Sequence, residues 1–318
     1  MRILLTGSSG WLGRFLAPRL RQDGHEVTGL DVAPGADTDI LGSVADRALI
    51  DRVFAERGIE AVVHSGALHK PDIVRYPRQA FVDVNVTGTL NLLEAAAAAG
   101  NDRFVFTSTT SLMVSQALHR GAVDRALWMT EDHGPLEPRN VYGITKLAAE
   151  HLCRLAHLDH KLAVAILRTG RFFPEDDDTH RDVEGPNRKA NEFLNRRLTV
   201  EDAAEAHVAA LEHAPGLGFG IFILSAPPPF EEADCEELLS DAPAAILRRF
   251  PDAAEVYKRA GWKLPDRIDR VYVPAAAEAR LGFRCRTDFG AVLDSLREGR
   301  PLPFVHDPNY VSPKEGMR

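Results

Sequence analysis

The chain has 318 residues, of which 45% are hydrophobic and 26% charged, with a net charge of −8. This composition is ordinary for a soluble globular protein with one large or two modest domains. The acidic balance and the scattered basic residues argue against a nucleic-acid partner, and no apolar stretch is long enough to predict a membrane span. Three distant cysteines, the lack of a signal-peptide pattern and the absence of a metal-site spacing predict a cytoplasmic protein without disulfides or metal; they are Cys153, Cys235 and Cys285.

Short apolar runs alternate with helical patterns from the first residue. The predicted strands are 2–6, 26–31, 60–66, 103–108 and 162–168, and the predicted helices between them are 11–23, 44–57, 78–99 and 141–157. Strands that are buried on both faces and separated by helices form a parallel sheet with right-handed crossovers. The sequence therefore predicts an α/β fold, a Rossmann-type doubly wound parallel sheet that binds ligands at the carboxyl ends of its strands.

The pattern loosens after residue 170, where polar residues, proline and glycine recur. A helix at 200–213 and a strand at 219–225 are predicted to rejoin the first domain. We expect an NAD-binding domain at 1–170, joined by 198–225, and a smaller C-terminal substrate lobe. The lobe would comprise 171–197 and 226–318.

A glycine-rich loop, "TGSSGWLG", joins the first strand to the first helix. Gly7 suits the tight turn, Gly10 lets the backbone approach a pyrophosphate, and Gly13 allows close helix packing. The phosphates would lie at the helix N-terminus. This spacing predicts a dinucleotide site that also includes Ser9, Trp11 and Leu12.

Asp31, at the end of the second strand, predicts NAD as the cofactor. An acid there accepts hydrogen bonds from the ribose hydroxyls and repels the 2′-phosphate of NADP. Apolar residues follow it, and Arg14 is the one cation that could reverse this preference. Asp39 and Ile40 could hold the adenine, or they could belong to an ordinary loop.

The stretch "NVYGITKLAAEHL" places Tyr142 and Lys146 four residues apart on one helix face. A lysine there can lower the pKa of a phenol and prepare it for proton transfer. The alternative is a solvated surface pair, which this spacing alone does not exclude.

With the glycine loop, the motifs "DVNVTGT", "FTSTTS" and "YGITK" resemble the extended short-chain dehydrogenase/reductase family, specifically its NAD-dependent epimerase/dehydratase group. The likeness covers residues 1 to about 225. It implies that Tyr142 is the catalytic acid/base, that Lys146 anchors the cofactor, and that Thr109 supplies the third catalytic hydroxyl. It also implies that Asn85, at the cofactor site, supports Lys146 through structure or water, and that the protein is a homodimer. The cofactor contacts implied on the nicotinamide side are those of Ser65, Gly66, Ala67 and Thr107.

The substrate side is less defined by the sequence. His64 is expected to be structural, whereas His69 could be structural or face the substrate. Thr110 and Arg168 are further candidates, and "ILRTGRFFPE" resembles a stretch of uronate dehydrogenases. Arg171 could pair with a substrate carboxylate, or it could form a surface salt bridge.

The motifs leave several reactions open. Dehydration is disfavoured because Thr110 and Ser111 replace the Asp-Glu pair of dehydratases. The piece between Pro174 and the "LTVEDAAEAH" helix is short and charged, which favours an NAD-dependent oxidoreductase acting on a small sugar, sugar acid or polyol. The alternatives are a nucleotide-sugar epimerase and, less favoured because Tyr142 and Lys146 are both present, a non-catalytic dinucleotide sensor.

Overall fold

A seven-stranded parallel sheet forms the centre of the computed structural model, which describes residues 1–176, 183 and 185–317. The strand order is β3-β2-β1-β4-β5-β7-β8, and every neighbouring pair is parallel. This confirms the predicted doubly wound fold. The strands are β1 (Arg2–Thr6), β2 (Glu26–Asp31), β3 (Ile40–Leu41), β4 (Ala61–His64), β5 (Arg103–Thr109), β7 (Ala163–Thr169) and β8 (Phe219–Leu224).

Helices cover both faces of this sheet and enclose two apolar cores, one on each face. Capping side chains set where the helices begin: Asp46 accepts from Leu49 N at 3.1 Å, Asn140 from Gly143 N at 2.9 Å, and Thr199 from Asp202 N at 3.0 Å. The second predicted helix therefore begins at Arg47 instead of residue 44. The helices are α1 (Gly13–Gln22), α2 (Arg47–Arg57), α3 (Arg78–Phe81), α4 (Gly88–Ala98), α5 (Gln116–His119), α6 (Val141–His160), α7 (Gly185–Glu192) and α8 (Val200–Leu217).

The long helix predicted at 78–99 is interrupted. A π-helical turn, Val82–Thr87, separates α3 from α4. Such turns are rare and recur at functional sites. This one carries Asn85, whose side chain points into the protein between the loop after β4 and helix α6.

The C-terminal part of the chain adds a separate helical core beside the carboxyl ends of the strands. It also pairs β6 (Leu127–Met129) with β9 (Arg270–Tyr272) in a small parallel sheet that the sequence did not predict. Strand β8 pairs with β7 at the edge of the main sheet, and helix α8 packs on β7 and β5. The remaining helices are α9 (Cys235–Ser240), α10 (Ala242–Arg249), α11 (Ala253–Arg259), α12 (Ala275–Leu281) and α13 (Phe289–Glu298).

Candidate active site

A cleft of about 460 Å³ lies at the carboxyl ends of β1, β2 and β4. Its walls come from the glycine loop, the end of β2, the loop after β4, the end of β5 and the loop after β7. The predicted cofactor residues that line it are Gly7, Ser9, Gly10, Trp11, Leu12, Asp31, Ser65, Gly66, Ala67 and Thr107, and His69 lines it as well.

The glycine loop is shaped by backbone contacts that leave no room for side chains. Gly7 has φ +75°, and a Cβ built on it would lie 2.8 Å from Gly66 N. A Cβ on Gly13 would lie 2.3 Å from Gly7 O. The loop therefore packs directly on the loop after β4 and against the start of α1, which explains why both positions require glycine.

The start of α1 suits an anion. No side chain caps it and no acidic residue lies in its first turn, whereas the Asp46 carboxylate caps α2. Arg14 N and Phe15 N donate to backbone carbonyls of the loop, Gly10 O and Leu12 O, so the positive end of the helix dipole faces the cleft without a carboxylate on it. Such a helix start, with the backbone of a glycine loop, binds a pyrophosphate. Together with the glycine packing, this end of the cleft fits a dinucleotide.

Asp31 lies at the rim of the same cleft and holds its backbone. Its carboxylate accepts from Ser9 N and from Ala33 N, each at 3.1 Å. Arg14 is exposed, with its guanidinium 5.8 Å from the centre of the Trp11 ring. The negative charge of Asp31 is therefore next to the glycine loop, where the ribose of the cofactor is expected.

The predicted adenine contact is not supported by the structure. The Asp39 carboxylate accepts from Gly29 N at 2.8 Å and so holds β2 in place. Ile40 packs partly into the core between the sheet and its helices. Neither residue lines the cleft, whereas the neighbouring Ser43 and Val44 do.

Tyr142, Lys146 and Thr109 come together behind the cleft. Tyr142 is 7% exposed and Lys146 is 3% exposed, so the pair is not a solvated surface contact. The Thr109 hydroxyl accepts from Ser111 N at 3.1 Å and hydrogen-bonds the Tyr142 phenol. The Lys146 ammonium lies 3.9 Å from the centre of the Phe106 ring.

Burial dominates the pKa values of both groups in the cofactor-free protein. Burial raises the pKa of Tyr142 to about 12, and the Thr109 hydrogen bond only partly opposes this. Burial also lowers the pKa of Lys146 to about 7, so about half of the molecules carry an uncharged Lys146 amine at neutral pH. Desolvation outweighs the Thr109 hydrogen bond at Tyr142 and the attraction of Glu150 at Lys146, and a phenolate needs a further positive charge near it.

A buried hydrogen-bond network holds the loop after β4. The Gly66 amide donates to Thr6 Oγ1, and the Thr6 hydroxyl donates to His64 Nδ1 at 2.7 Å. On the other side, His64 Nε2 donates to Thr89 Oγ1, whose proton goes to Asn85 O at 2.7 Å. Burial keeps the pKa of His64 well below its usual range. His64 is neutral and structural, as predicted.

Asn85 contacts the cleft only through Leu68, which lines it. Its side chain pairs with both backbone groups of Leu68, at 2.9 and 3.0 Å, and donates to Thr145 Oγ1 at 3.1 Å. Asn85 is 2% exposed and does not line the cleft. Asn85 therefore supports the loop beside the cleft and helix α6, which carries Lys146, and does not itself line the cofactor site.

Thr107 faces the cleft with its hydroxyl orientation fixed. His207 Nδ1 lies 2.7 Å from Ala203 O, so Nδ1 carries the proton and Nε2 accepts from the Thr107 hydroxyl at 2.7 Å. Burial lowers the pKa of His207 to about 4, which keeps this tautomer neutral. The oxygen of Thr107 can consequently accept a hydrogen bond from a ligand in the cleft.

His69 lies where cofactor and substrate would meet. Its ring is 5.9 Å from the ring of Tyr142 and 5.7 Å from that of Phe173. Burial and the charges of Lys314 and Lys146 hold the pKa of His69 well below its usual range. A neutral imidazole beside the phenol can donate or accept a hydrogen bond without adding charge.

Arg168 is not positioned to bind substrate. It is 3% exposed, and its guanidinium forms a bidentate pair with Glu150, at 3.1 and 2.8 Å, and donates to Glu131 O. Thr110 is likewise occupied, since its hydroxyl donates to Thr169 O at 3.2 Å. Both predicted substrate residues instead join β5 and β7 to their neighbours.

Arg171 belongs to a charged cluster at the floor of the substrate lobe. Arg171, Arg196 and Arg197 all approach Glu192, at 3.3, 2.9 and 2.8 Å. Glu192 is 3% exposed, and the arginines hold the pKa of its carboxyl down to about 2 against the effect of burial. The Glu175 carboxyl also interacts with Arg171 and Arg197, so the cluster beside the Phe172–Phe173 loop contains charges of both signs.

The sequence did not single out several lining residues. Phe172 and Phe173 stack with ring centres 4.6 Å apart and form an aromatic wall. Their signal, two adjacent aromatics after a buried strand, was present in "RFFPE". Ser312 and Lys314, from the last residues of the chain, also line the cleft, and no motif indicated them.

The described part of the chain contains neither a metal-binding cluster nor a membrane-spanning helix. Among residues 1–176, 183 and 185–317, no group of three His, Cys, Asp or Glu side chains could hold a metal ion. Across the same ranges, no helix is sufficiently long and apolar to cross a membrane.

The parallel sheet, the glycine cradle and the Tyr142–Lys146 helix face are those of the extended short-chain dehydrogenase/reductases, a class of NAD-dependent enzymes. The chain belongs to the NAD-dependent epimerase/dehydratase family, whose model matches residues 3–221. It is 28% identical to the UDP-glucose 4-epimerase of Bacillus subtilis over 83% of this chain and 92% of that protein.

Solved structures agree with this class. A short-chain dehydrogenase/reductase superfamily protein from Agrobacterium tumefaciens, solved with bound NAD, superposes with a TM-score of 0.65 at 26% identity, over 94% of this chain and 98% of that one. The UDP-N-acetylglucosamine 4-epimerase of Bacillus cereus shares the fold, with a TM-score of 0.64 at 19% identity, over 94% and 98% of the two chains. NAD is the cofactor, as predicted.

Proposed function

We propose that this protein is an NAD-dependent epimerase that inverts a hydroxyl-bearing carbon of a nucleotide-linked sugar. The observation that carries the chemistry is the buried Tyr142–Lys146 pair, with Thr109 on the phenol, beside a dinucleotide cleft. The choice of epimerase is supported by the Bacillus subtilis relative, a UDP-glucose 4-epimerase whose length the match nearly spans. The epimerase proposal replaces the function that the sequence favoured, an oxidoreductase acting on a small sugar.

The proton of the sugar hydroxyl would pass to Tyr142 Oη. The Thr109 hydroxyl, which already accepts from Ser111 N, has its own proton available to donate to that oxygen and stabilise the phenolate. Lys146 would hold the ribose of the cofactor and contribute positive charge. A bound NAD would supply the hydride acceptor and donor for the sugar carbon, and its oxidised ring would supply the positive charge that the buried phenol lacks.

Substrate binding is supported by the groups around Tyr142. The His69 ring lies between the Tyr142 phenol and Phe173 of the aromatic wall. These rings would suit the apolar face of a sugar ring. The guanidinium groups of Arg171, Arg196 and Arg197 would attract a diphosphate. In this reading Arg171 contacts the nucleotide part of the substrate.

A second candidate is an NAD-dependent dehydrogenase of a small sugar or sugar acid. It is favoured by the short segment between β7 and α8, which in the described residues contains one helix, α7. It is also favoured because the three arginines already approach Glu192. The predicted acidic run at 175–178 lies partly outside the described residues.

One pair of measurements separates the two candidates. Calorimetry with UDP, UDP-glucose and dTDP-glucose, beside free hexuronates and aldoses, identifies the ligand class on the NAD-loaded enzyme. Product analysis then shows whether a sugar is inverted with no net reduction of NAD, as for an epimerase, or oxidised with reduced cofactor accumulating. Binding and oxidation of free sugars only would replace the epimerase proposal with the dehydrogenase.

A homodimer is also proposed. Large apolar side chains are exposed on α6, where Ile144, Leu155 and Leu158 are 54%, 51% and 55% exposed. Leu90 on the adjacent α4 is 37% exposed. Pairing of these helices with those of a second copy would remove this apolar surface from water. Sedimentation of wild type and of Leu155→Asp tests it: a wild-type monomer would contradict the proposal.

A further inference from the structure

The last described residues of the chain cross the mouth of the dinucleotide cleft. We call residues 307–315 the strap. Ser312 and Lys314 of the strap line the cleft together with the glycine loop and the loop after β4. The strap therefore forms part of the wall of the site in which NAD is held.

The strap is fastened to the loops that follow three different strands. Near its start, Asp307 N donates to Pro174 O at 2.9 Å, on the loop after β7. Tyr310 packs edge-on against Trp11 of the glycine loop, with ring centres 5.1 Å apart. These contacts hold the first half of the strap over the pyrophosphate end of the cleft.

The second half is held by charge. Lys314 Nζ lies 2.5 Å from Asp72 Oδ2 and 3.3 Å from Ala67 O. The side chain of Asp72 is 1% exposed and that of Lys314 is 14% exposed, so this pair is well shielded from water. Arg75 and Glu315 add a partly exposed pair at 2.6 Å. Lys314 is thus the most buried fastening, since without it the Asp72 carboxylate would lose its cation.

Between its fastenings the strap is poorly packed. Val311 is 60% exposed, and Pro308 and Asn309 are exposed as well. A segment held by a few separate contacts and not by a core can open locally while the rest of the protein stays folded. Opening would need only the Tyr310 and Lys314 contacts to separate from the cleft rim.

We propose that the strap retains NAD, opening to admit the dinucleotide and closing over it so that the cofactor stays bound through many turnovers. The inference rests on the proposed epimerase function, in which the same cofactor must take the hydride and return it. A dinucleotide lying between the glycine loop and the loop after β4 would pass under the strap. NAD leaves only when Lys314 separates from Asp72 after β4 and Tyr310 separates from Trp11 of the glycine loop.

The test measures how fast NAD leaves. The enzyme is loaded with radiolabelled NAD, transferred into excess unlabelled NAD, and sampled by rapid filtration. Lys314→Met and Tyr310→Ala should each accelerate release by about tenfold or more, the factor expected when one charge-assisted or aromatic contact is lost. Tyr310→Phe, which keeps the ring, and Lys258→Met, on the exposed surface of α11, should release NAD at the wild-type rate.

Hydrogen exchange gives a second readout that does not depend on the variants. In the wild-type protein, bound NAD should slow exchange at the strap amides. Release rates within about twofold of wild type in both Lys314→Met and Tyr310→Ala, with no NAD-dependent protection of the strap, would overturn the proposal. Slower release and tighter binding in these variants would overturn it too, because the segment would then compete with the cofactor.

The strap and the proposed function fail separately. Turnover of any sugar is measured at saturating NAD, where faster release has little effect. If no sugar reacts but the two variants still release NAD faster, the proposal that the strap retains NAD is supported and the epimerase proposal is contradicted. If sugars are inverted while release is unchanged, only the strap falls.

Discussion

Replacing Lys146 with methionine should abolish activity and yet stabilise the cofactor-free protein. Burial lowers the pKa of this lysine from 10.5 to about 7, so the folded state disfavours the charged form that the unfolded chain prefers. At neutral pH this difference corresponds to about 4 kcal/mol. The contact with the Phe106 ring, worth up to about 2 kcal/mol, is lost in the variant. We therefore expect Lys146→Met to raise the free energy of unfolding by about 2 kcal/mol.

The pH dependence gives the sign of the effect. Because the folded pKa lies below the unfolded one, the unfolded state binds more protons between about pH 7 and pH 10.5, and Lys146 makes stability rise with pH across that window. Urea unfolding of the NAD-free wild type and variant at several pH values measures this. The gain from Lys146→Met should be full below about pH 7 and shrink from there toward pH 10.5, whereas Lys258→Met should show no gain. A variant that is less stable than wild type at neutral pH, with the same dependence on pH, would refute the reasoning.

Three further outcomes are expected. Tyr142→Phe should abolish turnover and leave NAD affinity within a few-fold in equilibrium dialysis; a variant that keeps a tenth of wild-type kcat would exclude Tyr142 as the acid/base. Steady-state kinetics should show preference for NAD over NADP, and Asp31→Ser should reduce it; equal or better kcat/KM with NADP in the wild type would place Asp31 away from the ribose. Arg168→Met should lower the free energy of unfolding by about 3–5 kcal/mol, because it leaves Glu150 buried without its cation, and adding Glu150→Leu should recover part of the loss; if Arg168→Met instead weakened only substrate binding at unchanged stability, the structural role assigned to Arg168 would be wrong.

The elements that the sequence predicted well are those whose signal is local. Buried strands such as β1 and β5 read as continuous apolar runs, and the glycine spacing places Gly7 and Gly13 at backbone contacts that no side chain could enter. The π-helical turn that interrupts 78–99 was missed because its residues still follow a helical pattern. The β6–β9 pair was missed because its partners are distant in sequence, Leu127 with Arg270.

The site residues show the same division. The spacing of Tyr142 and Lys146 on one helix face is visible in the sequence, and the family resemblance assigned the catalytic roles of this pair and of Thr109. Arg168 was assigned to the substrate from the resemblance of "ILRTGRFFPE" to uronate dehydrogenases. Its structural role could not be predicted, because its burial and its pairing with Glu150 depend on how α6 packs on β7. Lys314 could not be found, since its partner Asp72 is far away along the chain and only the fold brings them together. The predicted division into domains, the cytoplasmic location and the homodimer stay predictions.

The most direct test of the account is a single-turnover experiment on the NAD-loaded enzyme with UDP-linked sugars. The account predicts that the absorbance of the reduced nicotinamide rises and falls as the sugar is oxidised and reduced again, that the recovered sugar is partly inverted, and that Tyr142→Phe shows neither. An enzyme that binds NAD but produces neither reduced cofactor nor altered sugar, with nucleotide-linked or free sugars, would contradict it.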